Sequence, residues 1–240
     1  MNGVEIATIL DVLRLAVGVS VLFYASYTDI KTRTAPNFLW LIMGGLGAVF
    51  LIVQYLFVGI PNIWYLAFIP IMIGLMYLLF MIGLMFGGAD AKALMAIAIL
   101  TPLWPVVGDA PLYPSLMPFS WIVFVNSLLL FLIIPISLLI YNVVKKNRKF
   151  PHMLLGYPML LEKARKVFVW PLERVVEGKL KIVYRPLDDD EVDVFEGFDD
   201  LKMDRIWVTP KIPFMLPLLF GFILSFILGD LLSLLLSLVF

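Results

Sequence analysis

Long apolar runs separated by short polar or Gly/Pro breaks dominate the chain. Several of these runs reach the roughly 20 residues that a helix needs to cross about 30 Å of hydrocarbon. The alternating pattern of a membrane β-barrel is missing, and a helix satisfies its own backbone hydrogen bonds in lipid. We therefore predict an all-α polytopic membrane bundle of six transmembrane helices, near residues 5–27, 38–58, 63–86, 91–107, 119–143 and 212–229.

The fourth apolar run is short and carries Pro102 and Pro105. Because proline lacks the N–H donor of a helical residue, we expect this helix to give way to an irregular loop through Pro118. The run 231–240 either extends the last helix or lies along the membrane interface. The first run lacks the basic start and the cleavage site of a secretory signal, so we interpret it as a membrane helix.

A single polar region lies before the last apolar run and holds most of the charge. Its turn signals and apolar stretches predict a small cytosolic α+β domain. The expected elements are a helix near 158–166, a hairpin of 167–176 and 179–185, and a strand near 205–209. The predicted domains are a membrane domain at 1–143 with five helices, the cytosolic domain at 144–211, and the last helix with its tail at 212–240.

Composition narrows the class of protein further. Hydrophobic residues make up 62% of the chain, charged residues 15%, and the mean hydropathy is +1.00. The formal net charge is zero, so no basic surface invites nucleic acid. The chain has no cysteine, which excludes disulfides, thiolate metal clusters and cysteine nucleophiles.

The basic residues orient the predicted helices. They cluster after the first helix, at the start of the fourth and after the fifth, at Lys31, Arg33, Lys92, Lys145, Lys146, Arg148 and Lys149. The positive-inside rule then places the amino terminus outside and segments 29–37, 87–92 and 144–211 in the cytoplasm. Asp29 and Asp90 fall on the same side, although the loops were oriented by their cations alone.

Charges in or beside membrane helices are costly, so each is a functional candidate. They are Glu5, Asp11, Arg14, Asp29, Asp90, Lys92, Asp109 and Asp230. A Ser/His mechanism or a zinc-binding His-Glu-x-x-His motif fails, because the only histidine, His152, follows the basic run. Ser/Lys catalysis lacks a lysine within the fifth helix beside Ser127 or Ser137. Paired carboxylates remain. The sequence leaves open whether Arg14 does more than anchor to the membrane interface.

Two carboxyl groups within a few ångströms cannot both ionise cheaply, so they share a proton and can activate water for attack on an amide. Asp29 ends the first helix and Asp90 begins the fourth at one depth, which satisfies this demand. The helix dipoles favour Asp90 as the base and Asp29 as the acid. The alternatives are a helix cap for Asp90 and an ion pair of Asp29 with Lys31 or Arg33.

Two motifs resemble those of a known family. One runs from Asp29 to Pro36-Asn37, and the other is Gly87-Gly88-Ala89-Asp90-Ala91-Lys92. They are similar to the Asp-to-Pro-Asn segment and the Gly-x-Gly-Asp motif of type IV prepilin peptidases and archaeal preflagellin peptidases, which are GxGD aspartyl proteases. The resemblance spans roughly residues 10–110. Ala89 stands where the family motif has its second glycine.

The resemblance implies cleavage of a short basic leader from preflagellin or prepilin-like subunits at the cytoplasmic membrane face. The cysteine-containing methyltransferase region of bacterial relatives is absent, so we expect no methylation, metal or cofactor, and the helix count resembles the archaeal branch. The expected partners are those substrates and the lipid bilayer. Candidate substrate-binding residues are Pro36, Asn37, Gly87, Gly88, Lys92, Asp188, Asp189 and Asp190.

Several alternatives stay open from the sequence. The acidic stretch from Asp188 to Asp204 is either a solvated loop or an attractor of the basic leader. The glycines are either substrate contacts or helix-packing positions. A proton- or cation-coupled transporter using the same carboxylates, or a scaffold protein, rivals the peptidase. We also expect that the two carboxyls need not touch without substrate.

Overall fold

A computed structural model describes residues 2–60, 62–85, 87–167, 169–176, 178–182, 195–201, 203–210 and 213–239. Its helices are α1 (Gly3–Thr32), α2 (Phe38–Phe57), α3 (Trp64–Met81), α4 (Gly88–Leu100), α5 (Phe119–Val144), α6 (His152–Leu155), α7 (Leu161–Ala164), α8 (Met215–Ile227) and α9 (Leu231–Val239). Its strands are β1 (Tyr157–Leu160), β2 (Val169–Pro171), β3 (Glu173–Val176), β4 (Lys179–Ile182) and β5 (Arg205–Pro210). The chain divides into two compact units, residues 1–131 with 213–240, and residues 132–212.

Four helices of the described chain are long and apolar enough to cross a membrane: α1, α2, α3 and α5. Each coincides with a predicted span, and large apolar side chains such as Leu41, Trp64 and Ile71 stay exposed on them. In water such exposure would be costly, whereas lipid accepts it. The protein is therefore a mostly helical, multi-pass membrane protein with a small sheet-containing region.

The short helix α4 is the most enclosed element of the first unit. It packs against α2 and α3 and also contacts α1. Its interior residues are small or branched apolar side chains, with Ala93, Leu94 and Ile97 fully buried. The helix ends at Leu100, before Pro102, and irregular structure follows to Pro118. The prediction of a short fourth helix is confirmed, but its predicted end at residue 107 is wrong, because the prolines stop it sooner.

Glycines let the helices of this unit approach closely. A Cβ on Gly18 of α1 would lie 2.3 Å from the Phe222 ring of α8. A Cβ on Gly47 of α2 would lie 2.5 Å from the Leu100 Cα of α4. Small residues at helix crossings allow such contacts in a membrane bundle. The pairs α1 with α8 and α2 with α4 therefore cannot separate or rotate without losing close packing.

A sharp break separates α8 from α9. Gly229 adopts a positive φ of 85°, and a Cβ there would strike the Tyr113 carbonyl oxygen at 2.1 Å. The buried Asn126 side chain donates to the Gly229 carbonyl at 2.8 Å and accepts the Leu231 N–H at 3.2 Å. Asp230 then accepts the N–H of Ser233 at the start of α9. The tail therefore forms a separate helix and does not continue α8 as one unbroken helix.

The second unit is built on two small antiparallel sheets. Strand β5 pairs with both β1 and β2, whereas β3 and β4 form a hairpin. The core beneath them includes Phe198, Ile206 and Val208. The strand near 205–209 is confirmed, and so is the hairpin over 173–176 and 179–182; residues 169–171 of its predicted first strand pair with β5 instead, and 183–185 lie outside the described residues. The helix predicted at 158–166 is wrong over its first part, because residues 157–160 pair with β5 and only α7 is helical.

Candidate active site

Asp29 lies in the last turn of α1, half-buried. Arg33 ends the helix in the left-handed conformation, with φ of 57°, and its N–H donates to the Asp29 carbonyl at 3.0 Å. The backbone N–H of Met215, at the start of α8, donates to the Asp29 carboxylate, and the Arg33 guanidinium acts on it electrostatically. Helix N-termini present N–H groups and a positive dipole end to anions. Asp29 thus sits at the junction of α1 and α8.

Asp90 is the third residue of α4 and is also half-buried. The capping position is Gly87, which has an extended backbone, so the interpretation of Asp90 as the helix cap is wrong. A Cβ on Gly87 would lie 2.9 Å from the Asp90 Oδ2. The first glycine of the motif therefore leaves room for the carboxylate. Ala89 lies within the helix, where an alanine fits without strain.

The fold brings Asp29 and Asp90 near one another, although the two residues are 61 positions apart in the sequence. Helix α1 contacts α4, and the charge of Asp29 acts on Asp90. Lys31 points elsewhere: its ammonium donates to the Tyr27 hydroxyl and lies 4.5 Å from that ring's centroid. Of the two cations proposed as ion-pair partners of Asp29, Arg33 is the one whose charge acts on it.

Asn37 and Lys92 contact each other directly. The Lys92 ammonium donates to Asn37 Oδ1 at 2.8 Å, across 55 residues of sequence. Asn37 precedes the first residue of α2, and the neighbouring Pro36 carbonyl accepts the Leu39 N–H. Both side chains of the pair are exposed. The two motifs are therefore joined by a side-chain hydrogen bond that the sequence pattern did not predict.

The remaining candidate substrate-binding residues are Gly88 and the acidic residues of the polar region, only some of which lie within the described residues. A Cβ on Gly88 would come no closer than 3.4 Å to the Phe80 ring. Asp188, Asp189 and Asp190 lie outside the described residues. In the described part of the acidic stretch, Asp199 accepts from Arg165 Nη2 at 2.6 Å. That contact fits a solvated surface, as the alternative interpretation of the stretch held.

A buried polar network in the first half of α1, far from Asp29, was not predicted from the sequence. Arg14, only 1% exposed, donates to Asp11 at 2.7 Å and to Gln54 of α2 at 2.6 Å. Asp11 also accepts the Val106 N–H at 2.9 Å. Arg14 is thus not an interface anchor but the centre of a network joining α1, α2 and the loop after α4. The three-residue spacing of Asp11 and Arg14 on one helix was the available signal.

The second unit holds one further cluster of titratable groups. His152 is fully buried, 3.1 Å from Glu173 Oε1, and packs edge-on against Trp207. Lys149 also pairs with Glu173. Burial lowers the pKa of His152, and the nearby Lys149 charge lowers it further, against the opposing effect of Glu173. Within the described ranges, no three His, Asp or Glu side chains gather as a metal ion would require.

Comparison with known proteins decides the family. The model of the type IV leader peptidase family matches residues 16–142, more than half of the chain and both aspartates. A second model, described as archaeal peptidase A24 C-terminus type II, matches residues 148–231. The chain belongs to the type IV leader peptidase family. The resemblance inferred from the two motifs is therefore confirmed, and the protein is a peptidase by family.

Curated relatives of this leader peptidase cover nearly its whole length. Preflagellin peptidase of Methanococcus voltae is 30% identical over 229 residues, which is 85% of this chain and 89% of the relative. Preflagellin peptidase of Methanocaldococcus jannaschii is 28% identical over 233 residues, 87% of this chain and 91% of the relative. That of Methanococcus maripaludis is 26% identical over 223 residues. The similarity thus extends well beyond the two aspartate motifs.

Proposed function

We propose that this leader peptidase is a membrane aspartyl endopeptidase of the GxGD type. It removes the short basic leader of preflagellin or type IV prepilin-like subunits at the cytoplasmic membrane face. The observation that carries the proposal is the approach of two half-buried carboxyls, Asp29 and Asp90, from helices far apart in sequence. The names of the relatives, all preflagellin peptidases, support the substrate class.

In the proposed reaction, one water molecule lies between Asp29 and Asp90. The ionised carboxylate takes a proton from this water as its oxygen attacks the scissile carbonyl carbon, while the protonated carboxyl donates a hydrogen bond to the carbonyl oxygen. The tetrahedral intermediate then breaks its C–N bond as a proton passes to the leaving nitrogen. The leader is released with a new carboxylate and the mature subunit with a free amine.

The contacts of Asp29 modify the assignment that helix dipoles alone favoured. The Met215 N–H and the Arg33 guanidinium both face Asp29. Donors and cations of this kind stabilise a carboxylate anion. We therefore assign Asp29 as the member of the pair that carries the charge, and Asp90 as the member that holds the shared proton, in reverse of the assignment from the sequence.

The proposed topology has six spans, with the amino terminus outside and the aspartates at the cytoplasmic side. Four spans are α1, α2, α3 and α5, and we assign the others to the α4 and α8 regions. Each of these two helices has 13 residues, about 20 Å at 1.5 Å per residue, which is shorter than the hydrocarbon core. The irregular segment after α4 and the tail helix after α8 supply the remaining depth. Residues 144–211 form the cytosolic domain.

Leader recognition is assigned to groups around the two aspartates. We propose that Pro36, Gly87 and Gly88 border the cleaved segment, because backbone can approach closely at small residues. We propose that Asp188, Asp189 and Asp190 attract the basic leader, as complementary charge raises encounter rates. Neutralising these three acids should raise the KM for the leader in proportion to its charge at low salt. An unchanged KM at low salt would refute this role.

A cleavage assay separates the peptidase from the transporter and scaffold alternatives. Detergent-solubilised wild type, Asp29→Asn and Asp90→Asn are incubated with a preflagellin, and leader loss is followed on a gel. Asp109→Asn is the matched control, because Asp109 is an exposed acid in the loop after α4. We expect cleavage by wild type and the control only. Leader loss in both aspartate variants would refute the proposed mechanism, whereas proton flux into vesicles without cleavage by wild type would favour transport.

A further inference from the structure

The bond between Lys92 and Asn37 ties together the segments that carry the two aspartates. Lys92 lies two residues after Asp90 on α4, and Asn37 ends the short loop that follows the helix of Asp29. The Lys92 ammonium donates to Asn37 Oδ1 at 2.8 Å. The loop between Arg33 and Asn37 is too short to let the end of α1 move far from the start of α2. Fixing Asn37 therefore also restricts Asp29.

Backbone packing between α2 and α4 further along the two helices complements this bond. Gly47 of α2 lies so close to Leu100 of α4 that a Cβ would meet the Leu100 Cα at 2.5 Å. Helices α2 and α4 are thus held by backbone contact near the end of α4. Near the start of α4, the Lys92 side chain contacts the side chain of Asn37, the residue that precedes α2. The pair therefore adds a directional polar contact to the apolar packing at the starts of α2 and α4.

We propose that Lys92 and Asn37 are positioning residues, whose hydrogen bond holds the end of α1 with Asp29 at the working distance from Asp90. The inference rests on the proposed function and deepens it. A charge-assisted hydrogen bond has a preferred length and direction, although exposed pairs contribute little to global stability. Its loss should therefore affect alignment of the carboxyls more than folding.

Direct contact with substrate is the rival role for these two residues. A lysine at the cleavage site would repel a basic leader, since like charges cost free energy when brought together. The side-chain oxygen of Asn37, Oδ1, already accepts a hydrogen bond from Lys92. Both observations favour positioning over leader binding. The two roles also predict different kinetics, because positioning acts on the chemical step and leader binding acts on the KM.

A double-mutant cycle tests the proposal through kinetics. Asn37→Ala and Lys92→Met should each lower kcat by about 10-fold to 100-fold, the range that misplacement of reacting groups produces, with the KM changed less than about 2-fold. The double variant should be no worse than either single one, because both changes remove the same bond. Asn37→Asp and Lys92→Arg, which keep an acceptor and a donor, should recover most of the kcat.

Matched controls come from similar residues elsewhere. Asn62→Ala removes an exposed asparagine that accepts the Trp64 N–H near the start of α3, at 3.1 Å. Lys163→Met removes an exposed lysine of α7. Both should leave kcat near the wild-type value. Losses that multiply in the Asn37→Ala/Lys92→Met double variant, or a raised KM with kcat intact, would overturn the positioning role.

A spin-label measurement tests the bond independently of cleavage. The chain has no cysteine, so cysteines introduced at the exposed Thr34 and Leu84 label only the loop after α1 and the segment before α4. We expect the label-to-label distance distribution to broaden or shift in Asn37→Ala and in Lys92→Met, but not in Asn62→Ala. An unchanged distribution in both variants would overturn the inference. Failure of wild type to cleave a leader would instead refute the proposed function, and the spin-label result would remain interpretable.

Discussion

Helix α1 carries two aspartates, Asp11 in its first half and Asp29 in its last turn, about 27 Å apart along the axis at 1.5 Å per residue. Asp11 is 6% exposed and is matched by Arg14 and by the Val106 N–H. Asp29 is half-exposed and faces a second carboxyl, Asp90, as well as the Met215 N–H and Arg33. The two acids therefore share a helix but have opposite surroundings.

The difference shows what a stabilising charge and a reactive charge each require. Asp11 is sealed from water and neutralised in place, as a buried charge must be. Asp29 keeps access to water and is set against a like group, which costs stability but lets a proton be shared. We therefore expect changes at Asp11 and Arg14 to act on folding, and changes at Asp29 and Asp90 to act on the reaction.

The largest expected effect is on cleavage. Asp29→Asn and Asp90→Asn should each lower kcat by about 10³-fold or more, or roughly 4 kcal/mol, because an amide cannot serve as the general base or the general acid of the reaction. The unfolding temperature in detergent should stay near the wild-type value or rise, since the approach of two carboxyls that cannot both ionise is removed. Tryptophan fluorescence on heating and a quantitative leader-cleavage assay measure both. A variant that keeps its activity but unfolds early would reverse the assigned roles.

The next largest expected effect is a loss of stability when the buried network of Asp11, Arg14 and Gln54 is broken. Arg14→Met leaves Asp11 buried without its cation and should destabilise the protein by about 3–5 kcal/mol, with kcat per folded molecule preserved. Thermal or denaturant unfolding in detergent checks this. The Asp11→Leu/Arg14→Met double variant should recover part of the loss, because no unpaired charge remains. Equal stability of wild type and Arg14→Met would contradict the role of the network.

Gly87→Ala tests whether the reaction needs the space that this glycine leaves beside Asp90. The added Cβ would lie 2.9 Å from Asp90 Oδ2, so the carboxylate must move. We expect kcat to fall by about 10-fold to 100-fold, with little change in unfolding temperature. Gly45→Ala on α2 is the control, because a Cβ there meets nothing within 4 Å. A similar effect of both substitutions on kcat would show that space beside Asp90 is unimportant.

The smallest expected effect is on the pH dependence of stability of the second unit, through the cluster of Lys149, His152 and Glu173. Burial lowers the pKa of His152 below its ordinary value of 6.5, so the unfolded chain binds a proton there before the folded one does. Stability of the unit should fall as pH drops below about 6.5, by at most about 1.4 kcal/mol per pH unit. Hydrogen exchange of β1 and β5 measures it. In His152→Phe this part of the pH dependence should disappear, and its persistence would exclude His152.

Much of the bundle was predictable because its signals are local. Runs of apolar residues predicted the four long helices, and Pro102 and Pro105 indicated a short fourth helix, although its end was placed too late. The common side of Asp29 and Asp90 followed from the lysines and arginines around them, and their motifs indicated the family. In the second unit, pairing with β5 overrode the helical pattern of residues 157–160, because strand partners far along the chain are invisible to local propensity.

The contacts that define the candidate site were less predictable for the same reason. Lys92 bonds Asn37 across 55 residues, and Arg14 bonds Gln54 across 40. The hydrogen bond of the Met215 N–H to Asp29 links α8, late in the chain, with α1 at its beginning. No periodicity encodes such pairs, since they depend on how helices cross after each has formed. The role of Arg14 accordingly stayed open in the sequence, although its three-residue spacing from Asp11 on one helix indicated a pair.

Binding of a transition-state analogue tests most directly whether Asp29 and Asp90 hold the attacking water between them. Two leader peptides are compared, one with a hydroxyl-bearing tetrahedral carbon at the cleaved bond and one with a methylene in its place. Wild type should bind the hydroxyl peptide at least about 100-fold more tightly, and Asp29→Asn and Asp90→Asn should each lose this preference. Equal affinity of wild type for both peptides, or a preference that survives in either variant, would contradict the account.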